Sequence, residues 1–220
     1  MSKQNFTDQD RKEVAVVGNS IGADVQQYFK LQTTGAYGGA KMFKETPNRP
    51  RLMDALYEAV YDREIKIIFM ICPFILDVAD TQTFSKAYAA EVLERNNAYA
   101  YAEVERKAVE LTRNVLKAAR DQNKHIVYIP FPTKGKDKPV LVKEKQIKNS
   151  VELVERLQKE VKTTIRKCTY ETTYGRPEAL VVRWDEEDYK KDGLHMSKKG
   201  ARKLAGRVLY ALELAKVGCK

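Results

Sequence analysis

Short apolar segments alternate with amphipathic helical segments along this sequence, and this alternation limits the folds that the chain can adopt. The apolar segments are rich in β-branched residues and cover residues 13–18, 65–72, 125–129 and 179–184. Segments of this kind are typical of strands in a parallel sheet that is buried on both faces. We therefore predict a three-layer α/β/α domain with a central, mostly parallel five-stranded sheet, of which these segments supply four strands, and with helices on both faces.

The segments between the predicted strands repeat their apolar residues at the spacing of amphipathic helices. After the helix that follows the first strand, the predicted helices cover residues 52–60, 85–122, 143–165 and 201–212. The predicted helix at residues 85–122 is long and contains neither proline nor glycine. We expect this helix to be broken near Asn96 and Asn97. Ser197 stands where it can cap the last helix. Ligands of such folds bind beyond the carboxyl ends of the strands, so functional residues are expected there.

Length and composition favour one domain at residues 13–220, preceded by a flexible polar segment at residues 1–12. That segment lacks the apolar core of a secretory signal, and no apolar run reaches the length of a membrane span, so we expect a cytoplasmic or nuclear protein without a membrane span. Three widely spaced cysteines and two histidines argue against disulfides and against a metal site. Because neither a P-loop nor a dinucleotide motif is present, we expect no cofactor.

The chain is basic, with 40 Lys and Arg against 30 Asp and Glu and a formal net charge of +10. Such a charge attracts polyanions, including RNA and DNA. Lys134, Lys136 and Lys138 crowd one loop and form a candidate nucleic-acid-binding surface. A solvated loop is the simpler explanation of these lysines, because no recognised RNA-binding signature accompanies them.

The first candidate for chemistry is Ser20, in the segment Gly18-Asn19-Ser20 between the first predicted strand and its helix. A serine at this position lies at the carboxyl edge of the sheet. Its own N–H belongs to a helix N-terminus, where developing negative charge is stabilised. The alternative is that Ser20 only caps the helix.

The second candidate is the segment Asp192-Gly193-Leu194-His195, just before the last predicted helix. A serine nucleophile needs a base, and the base needs an acceptor that fixes its tautomer and orientation. His195 with Asp192 three residues earlier can meet both needs. The alternative is a polar turn that leads into the Ser197 cap.

Together the two segments resemble the SGNH or GDSL-type hydrolases, which have a G-D-S block after the first strand and a D-x-x-H block before the last helix. The resemblance implies a flavodoxin-like sheet and a serine hydrolase that acts on a small ester. It implies that Ser20 is the nucleophile, His195 the general base and Asp192 the orienting acid. The oxyanion hole would use the N–H groups of Ser20 and Gly39. Gly38 is an almost equally good candidate for the second N–H donor. These glycines are also explained by a tight turn alone.

The sequence departs from this family at two blocks. Asn19 replaces the usual aspartate, which is a mild change. The third block, G-x-N-D, should fall at residues 71–77, where this chain reads ICPFILD and offers no asparagine. Loss of one oxyanion-hole donor costs a factor of roughly 10² to 10³ in rate. The second interpretation is therefore a catalytically impaired protein of this fold that binds RNA, DNA or an acidic protein partner through its basic surface.

Overall fold

The core of the molecule is a parallel sheet, seen in a computed structural model that describes residues 6–31, 35–81, 90–130, 145–170, 186–188, 190 and 195–218. Within these ranges the sheet has the order β1–β2–β3. Its strands are β1 Val14–Gly18, β2 Ile67–Ile71 and β3 His125–Ile129. The parallel α/β arrangement is confirmed. The described residues contain three strands where the sequence predicts five, and the predicted strand at 179–184 lies outside them.

The three strands are aligned without stagger at their carboxyl ends. Gly18 pairs with Ile71, and Ile71 pairs with Ile129. Every residue of β1 and β2 is buried, which is why these segments are continuous apolar runs rather than alternating ones. The carboxyl ends of the three strands thus lie at one level, and the loops that follow the strands leave from there.

Helices cover the sheet in two separate groups. They are α1 Asp8–Glu13, α2 Ser20–Phe29, α3 Leu52–Tyr61, α4 Ile75–Asp80, α5 Ala90–Asp121, α6 Lys145–Tyr170 and α7 Lys198–Gly218. Helices α2 and α7 pack on each other and on the sheet, whereas α3 and α5 form a second pair that also contacts it. Helix α6 packs on α4 and α5. This grouping agrees with helices on both faces of a parallel sheet.

Two expectations about individual helices have opposite outcomes. Ser197 caps α7 as predicted, because its hydroxyl accepts the N–H of Gly200 at 3.2 Å. The expected break near Asn96 and Asn97 is wrong, since α5 runs as one helix of 32 residues.

In the described part of the chain, no helix is long and apolar enough to cross a membrane.

Part of the amino-terminal segment, for which the sequence predicts a flexible polar stretch at residues 1–12, is helical. Residues 8–13 form α1, which has a reciprocal capping box: Thr7 Oγ1 accepts the N–H of Asp10 at 3.1 Å, and the Asp10 carboxylate accepts the N–H of Thr7 at 2.9 Å. Phe6 is buried, with its ring centroid 4.1 Å from that of Phe29. From residue 6 onward the segment therefore packs on the domain. Residues 1–5 lie outside the described ranges.

Candidate functional site

Ser20 is the first residue of α2 and lies directly beyond the carboxyl end of β1. The cap of α2 is Asn19, whose Oδ1 accepts the N–H of Ile21 at 3.1 Å. Ser20 is half-buried, and its hydroxyl makes no hydrogen bond within the described ranges. The interpretation of Ser20 as a helix cap is therefore wrong. The hydroxyl lies at the positive end of a helix.

The backbone around Ser20 is fixed by contacts with its neighbours. A Cβ atom at Gly18 would lie 2.4 Å from the carbonyl oxygen of Ile71, so only glycine fits there. The buried Asn19 uses its amide nitrogen as well, donating to the carbonyl oxygen of Cys72 at 3.0 Å. An ionised aspartate could not make this second bond, because a carboxylate only accepts. The N–H of Tyr37 donates to the carbonyl oxygen of Gly18 at 3.0 Å and joins the next loop to this point.

A glycine turn lies beside Ser20. The N–H of Ala40 donates to the carbonyl oxygen of Tyr37 at 3.1 Å and closes the turn. Gly39 has a φ of 74°, the conformation that a type II turn requires at its third residue. A Cβ atom at Gly38 would lie 3.9 Å from the Cβ of Ser20. The turn therefore brings backbone N–H groups to the neighbourhood of the serine.

The segment after β2 occupies the place of the third block. Cys72 is buried and has a φ of 48°, in the left-handed region that favours glycine. If Cys72 takes the place of the glycine in G-x-N-D, the place of the asparagine falls to Phe74. Phe74 is buried, and its ring stacks on that of Phe43 with centroids 6.0 Å apart. Under this alignment, a hydrophobic side chain stands at the position of the asparagine in G-x-N-D.

Asp77 holds the loop that continues from the glycine turn, a contact that sequence reasoning missed. Its buried carboxylate accepts the N–H of Met42 at 2.8 Å and the N–H of Phe43 at 3.0 Å. The sequence does contain a signal for this contact, because Asp77 is the only carboxylate in the apolar segment ICPFILD and a buried carboxylate needs hydrogen-bond donors. The sequence does not reveal which backbone groups supply them.

His195 lies on the segment that leads into α7 and is half-buried. Its carbonyl oxygen accepts the N–H of Lys190 at 2.7 Å. Asp192, the third predicted triad residue, lies outside the described residues. Helix α7 packs against α2, the helix that Ser20 opens. Ser20 and His195 therefore flank the N-termini of two contacting helices, and in the described part of the chain no hydrogen bond joins their side chains.

The segment before His195 is anchored on α7 through the 3-10 turn Glu186–Asp188. Ser197 donates its N–H to the carbonyl oxygen of Asp188 at 2.8 Å, and Lys203 Nζ lies 2.7 Å from the fully buried Asp188 carboxylate. A Cβ atom at Gly200 would lie 2.1 Å from the same carbonyl oxygen, so glycine is needed for this approach. These contacts fix the backbone on both sides of the predicted D-x-x-H block.

The other histidine lies at the opposite edge of the sheet. His125 is the first residue of β3 and pairs with Ile67, the first residue of β2. Burial lowers the pKa of His125 below the usual 6.5. His125 therefore lies away from the carboxyl edge of the sheet, where Ser20 follows β1. The candidate nucleic-acid-binding residues Lys134, Lys136 and Lys138 lie outside the described residues.

Comparisons with known proteins support the fold rather than an activity. No family model and no curated protein matches the sequence. The structure is similar to the crystal structure of a GDSL-like lipase from Bacteroides thetaiotaomicron, with a TM-score of 0.53 and 12% sequence identity over 96% of this chain and 93% of that chain. The chain has an α/β fold like that of a GDSL-like lipase. At this identity the likeness concerns the fold alone.

Proposed function

We propose that the chain is a serine esterase of the GDSL-like type. The observation that carries this proposal is the position of Ser20, half-buried beyond the carboxyl end of β1, at the start of α2 and beside the glycine turn. In an open parallel sheet this is where reactive groups meet ligands. The similarity of the fold to a GDSL-like lipase supports the same assignment.

In this proposal, Ser20 Oγ attacks the carbonyl carbon of a small ester while His195 takes the hydroxyl proton. Asp192 holds the imidazole in the correct tautomer. The N–H of Ser20 and the N–H of Gly39, or of Gly38, donate to the oxyanion. The alcohol then leaves with the proton from His195. Water attacks the acyl-enzyme with His195 again as the base, and the acid is released.

The buried Phe74 leads us to expect a low rate of ester hydrolysis. A family member with an asparagine at this place has a further donor for the oxyanion, and the loss of one such donor costs roughly 10² to 10³ in rate. We therefore propose a slow esterase rather than an efficient one.

The test is the hydrolysis of a short-chain para-nitrophenyl ester. Ser20→Ala and His195→Ala should each abolish turnover with little change in melting temperature, and Asp192→Asn should reduce it strongly. His125→Ala is the matched control, because His125 lies at the other edge of the sheet, and it should retain the wild-type rate. Wild-type activity in Ser20→Ala or in His195→Ala would overturn the proposal.

A second candidate is the binding of RNA, DNA or an acidic protein partner by a catalytically impaired domain. It is favoured by the buried Phe74 in the third block together with the net charge of +10. Affinity for an RNA or DNA oligomer should then fall steeply with salt. Reversal of Lys134, Lys136 and Lys138 to glutamate should weaken binding, whereas Ser20→Ala should leave it unchanged. Absence of binding by the wild type at low salt would remove the nucleic-acid candidate.

A further inference from the structure

The guanidinium group of Arg49 lies against the glycine turn beside Ser20. A Cβ atom at Gly39 would lie 2.2 Å from Nη1 of Arg49 and 3.5 Å from its Cζ. Gly38, the preceding residue, is the one whose Cβ would lie 3.9 Å from the Cβ of Ser20. Two adjacent glycines therefore separate a permanent positive charge from the candidate nucleophile. Glycine at position 39 also leaves the space that the guanidinium occupies.

A local turn fixes the backbone of Arg49. Thr46 and Arg49 exchange backbone hydrogen bonds, with Arg49 N–H donating to the Thr46 carbonyl oxygen at 2.9 Å. Between them stand Pro47 and Asn48, and Asn48 has a φ of 63°. Proline at the second place and asparagine with positive φ at the third are the preferences of a type II turn. The arginine is thus carried by a defined turn on the rim of the proposed site.

The charge of Arg49 has no protein partner among the described residues. Arg49 is exposed and makes no ion pair there. Arg51, by contrast, makes two hydrogen bonds to the Asp54 carboxylate, at 2.8 and 2.9 Å. The segment 40–51 is basic, with Lys41, Lys44, Arg49 and Arg51 against Glu45. Within the described part of the chain, no acidic side chain competes with an anion that approaches Arg49 at the glycine turn.

We propose that Arg49 is a specificity-determining residue that binds an anionic group of the substrate ester. The proposal rests on the proposed esterase function. The planar guanidinium offers paired donors that match a carboxylate, sulfate or phosphate, which a lysine ammonium cannot reproduce. The preferred substrates are thus esters that carry a negative charge close to the scissile carbonyl, in either the acyl or the alcohol part.

Two matched pairs of esters distinguish the two locations of the charge. Mono-para-nitrophenyl glutarate and para-nitrophenyl pentanoate test an anion in the acyl part, and para-acetoxybenzoate and para-acetoxybenzamide test one in the alcohol part. Wild-type kcat/KM should favour the anionic member of one pair by about tenfold, the effect of one charged hydrogen-bonding contact. Salt should weaken this preference.

Variants assign the preference to Arg49. Arg49→Gln should abolish it with little effect on the neutral ester, and Arg49→Lys should keep part of it. Lys44→Gln is the matched control, because it removes the same charge from an exposed position in the same segment, and it should keep the full preference. Equal rates for both members of both pairs, or equal losses in Arg49→Gln and Lys44→Gln, would overturn the proposal.

A binding arm separates this proposal from the esterase proposal. The Ser20→Ala protein should bind the anionic member of one pair about tenfold more tightly than the neutral member of that pair, and Ser20→Ala/Arg49→Gln should lose this difference. That result supports Arg49 even if wild type shows no turnover. Turnover without any difference between the esters, in rate or in binding, overturns the role of Arg49 and leaves the esterase standing.

Discussion

Removal of the Asp77 carboxylate should destabilise the domain and loosen the loop beside the proposed site. Asp77→Ala deletes the acceptors of two backbone N–H groups, those of Met42 and Phe43, at 2.8 and 3.0 Å. Met42 is fully buried, so water cannot easily replace the lost acceptor. Each buried donor left unpaired costs about 1–3 kcal/mol, and the pair of bonds accepted by one carboxylate predicts a loss of about 3 kcal/mol. Asp77→Asn keeps one acceptor and should lose about half of this.

Urea unfolding of the wild type and both variants measures these losses, and thermal unfolding should show the melting temperature of Asp77→Ala lowered by roughly 6–12 °C for a chain of this size. Asp54→Asn is the matched control. It removes a carboxylate from a partly exposed pair with Arg51, and because solvent screens such a pair, the variant should lose much less stability than Asp77→Ala. A loss in Asp77→Ala no larger than in Asp54→Asn would refute the reasoning.

Three further predictions follow from close contacts and from burial. Gly18→Ala places a Cβ atom 2.4 Å from the carbonyl oxygen of Ile71 and should destabilise the domain by about 2 kcal/mol in urea unfolding. An unchanged urea midpoint would contradict this close approach of Gly18 to Ile71. Lys203→Met keeps the aliphatic stem but removes the ion pair between Lys203 and the buried Asp188 carboxylate, with an expected loss of up to about 3 kcal/mol, and wild-type stability would show that this pair contributes nothing. Burial lowers the pKa of His125, so the unfolded chain binds a proton more readily and stability should fall as the pH drops below about 6.5. His125→Gln should reduce the difference between urea midpoints at about pH 7.5 and about pH 5.5, and an identical difference would contradict this.

Local sequence signals were sufficient for much of the fold. The apolar runs predict β1, β2 and β3 because a strand covered on both faces is apolar along nearly all of its length. Ser197 predicts the start of α7 because its hydroxyl satisfies a free N–H of the first turn. A comparable signal at the amino terminus, Thr7 followed by Asp10, marks the capping box of α1. The polar composition of that segment led to the prediction of a flexible stretch instead of a helix.

The geometry of the candidate site could not be predicted in the same way. The contacts that shape it join residues far apart in the sequence: Asn19 with Cys72, and Asp77 with Met42. Such pairs depend on how strands and loops meet at the edge of the sheet, and local propensity says nothing about that. The positive φ of Cys72 could not be predicted either, because residues other than glycine rarely adopt the left-handed conformation.

The proposal that Ser20 is an activated nucleophile is tested most directly by labelling the intact protein with a fluorophosphonate probe and mapping the modified residue by mass spectrometry. We expect covalent modification at Ser20, none in Ser20→Ala, and a much slower reaction in His195→Ala, because the hydroxyl is nucleophilic only when a base accepts its proton. His125→Ala should label at the wild-type rate, since His125 lies at the opposite edge of the sheet. An unlabelled Ser20 in the folded wild-type protein, or a labelling rate that is the same with and without His195, would contradict the proposed esterase mechanism.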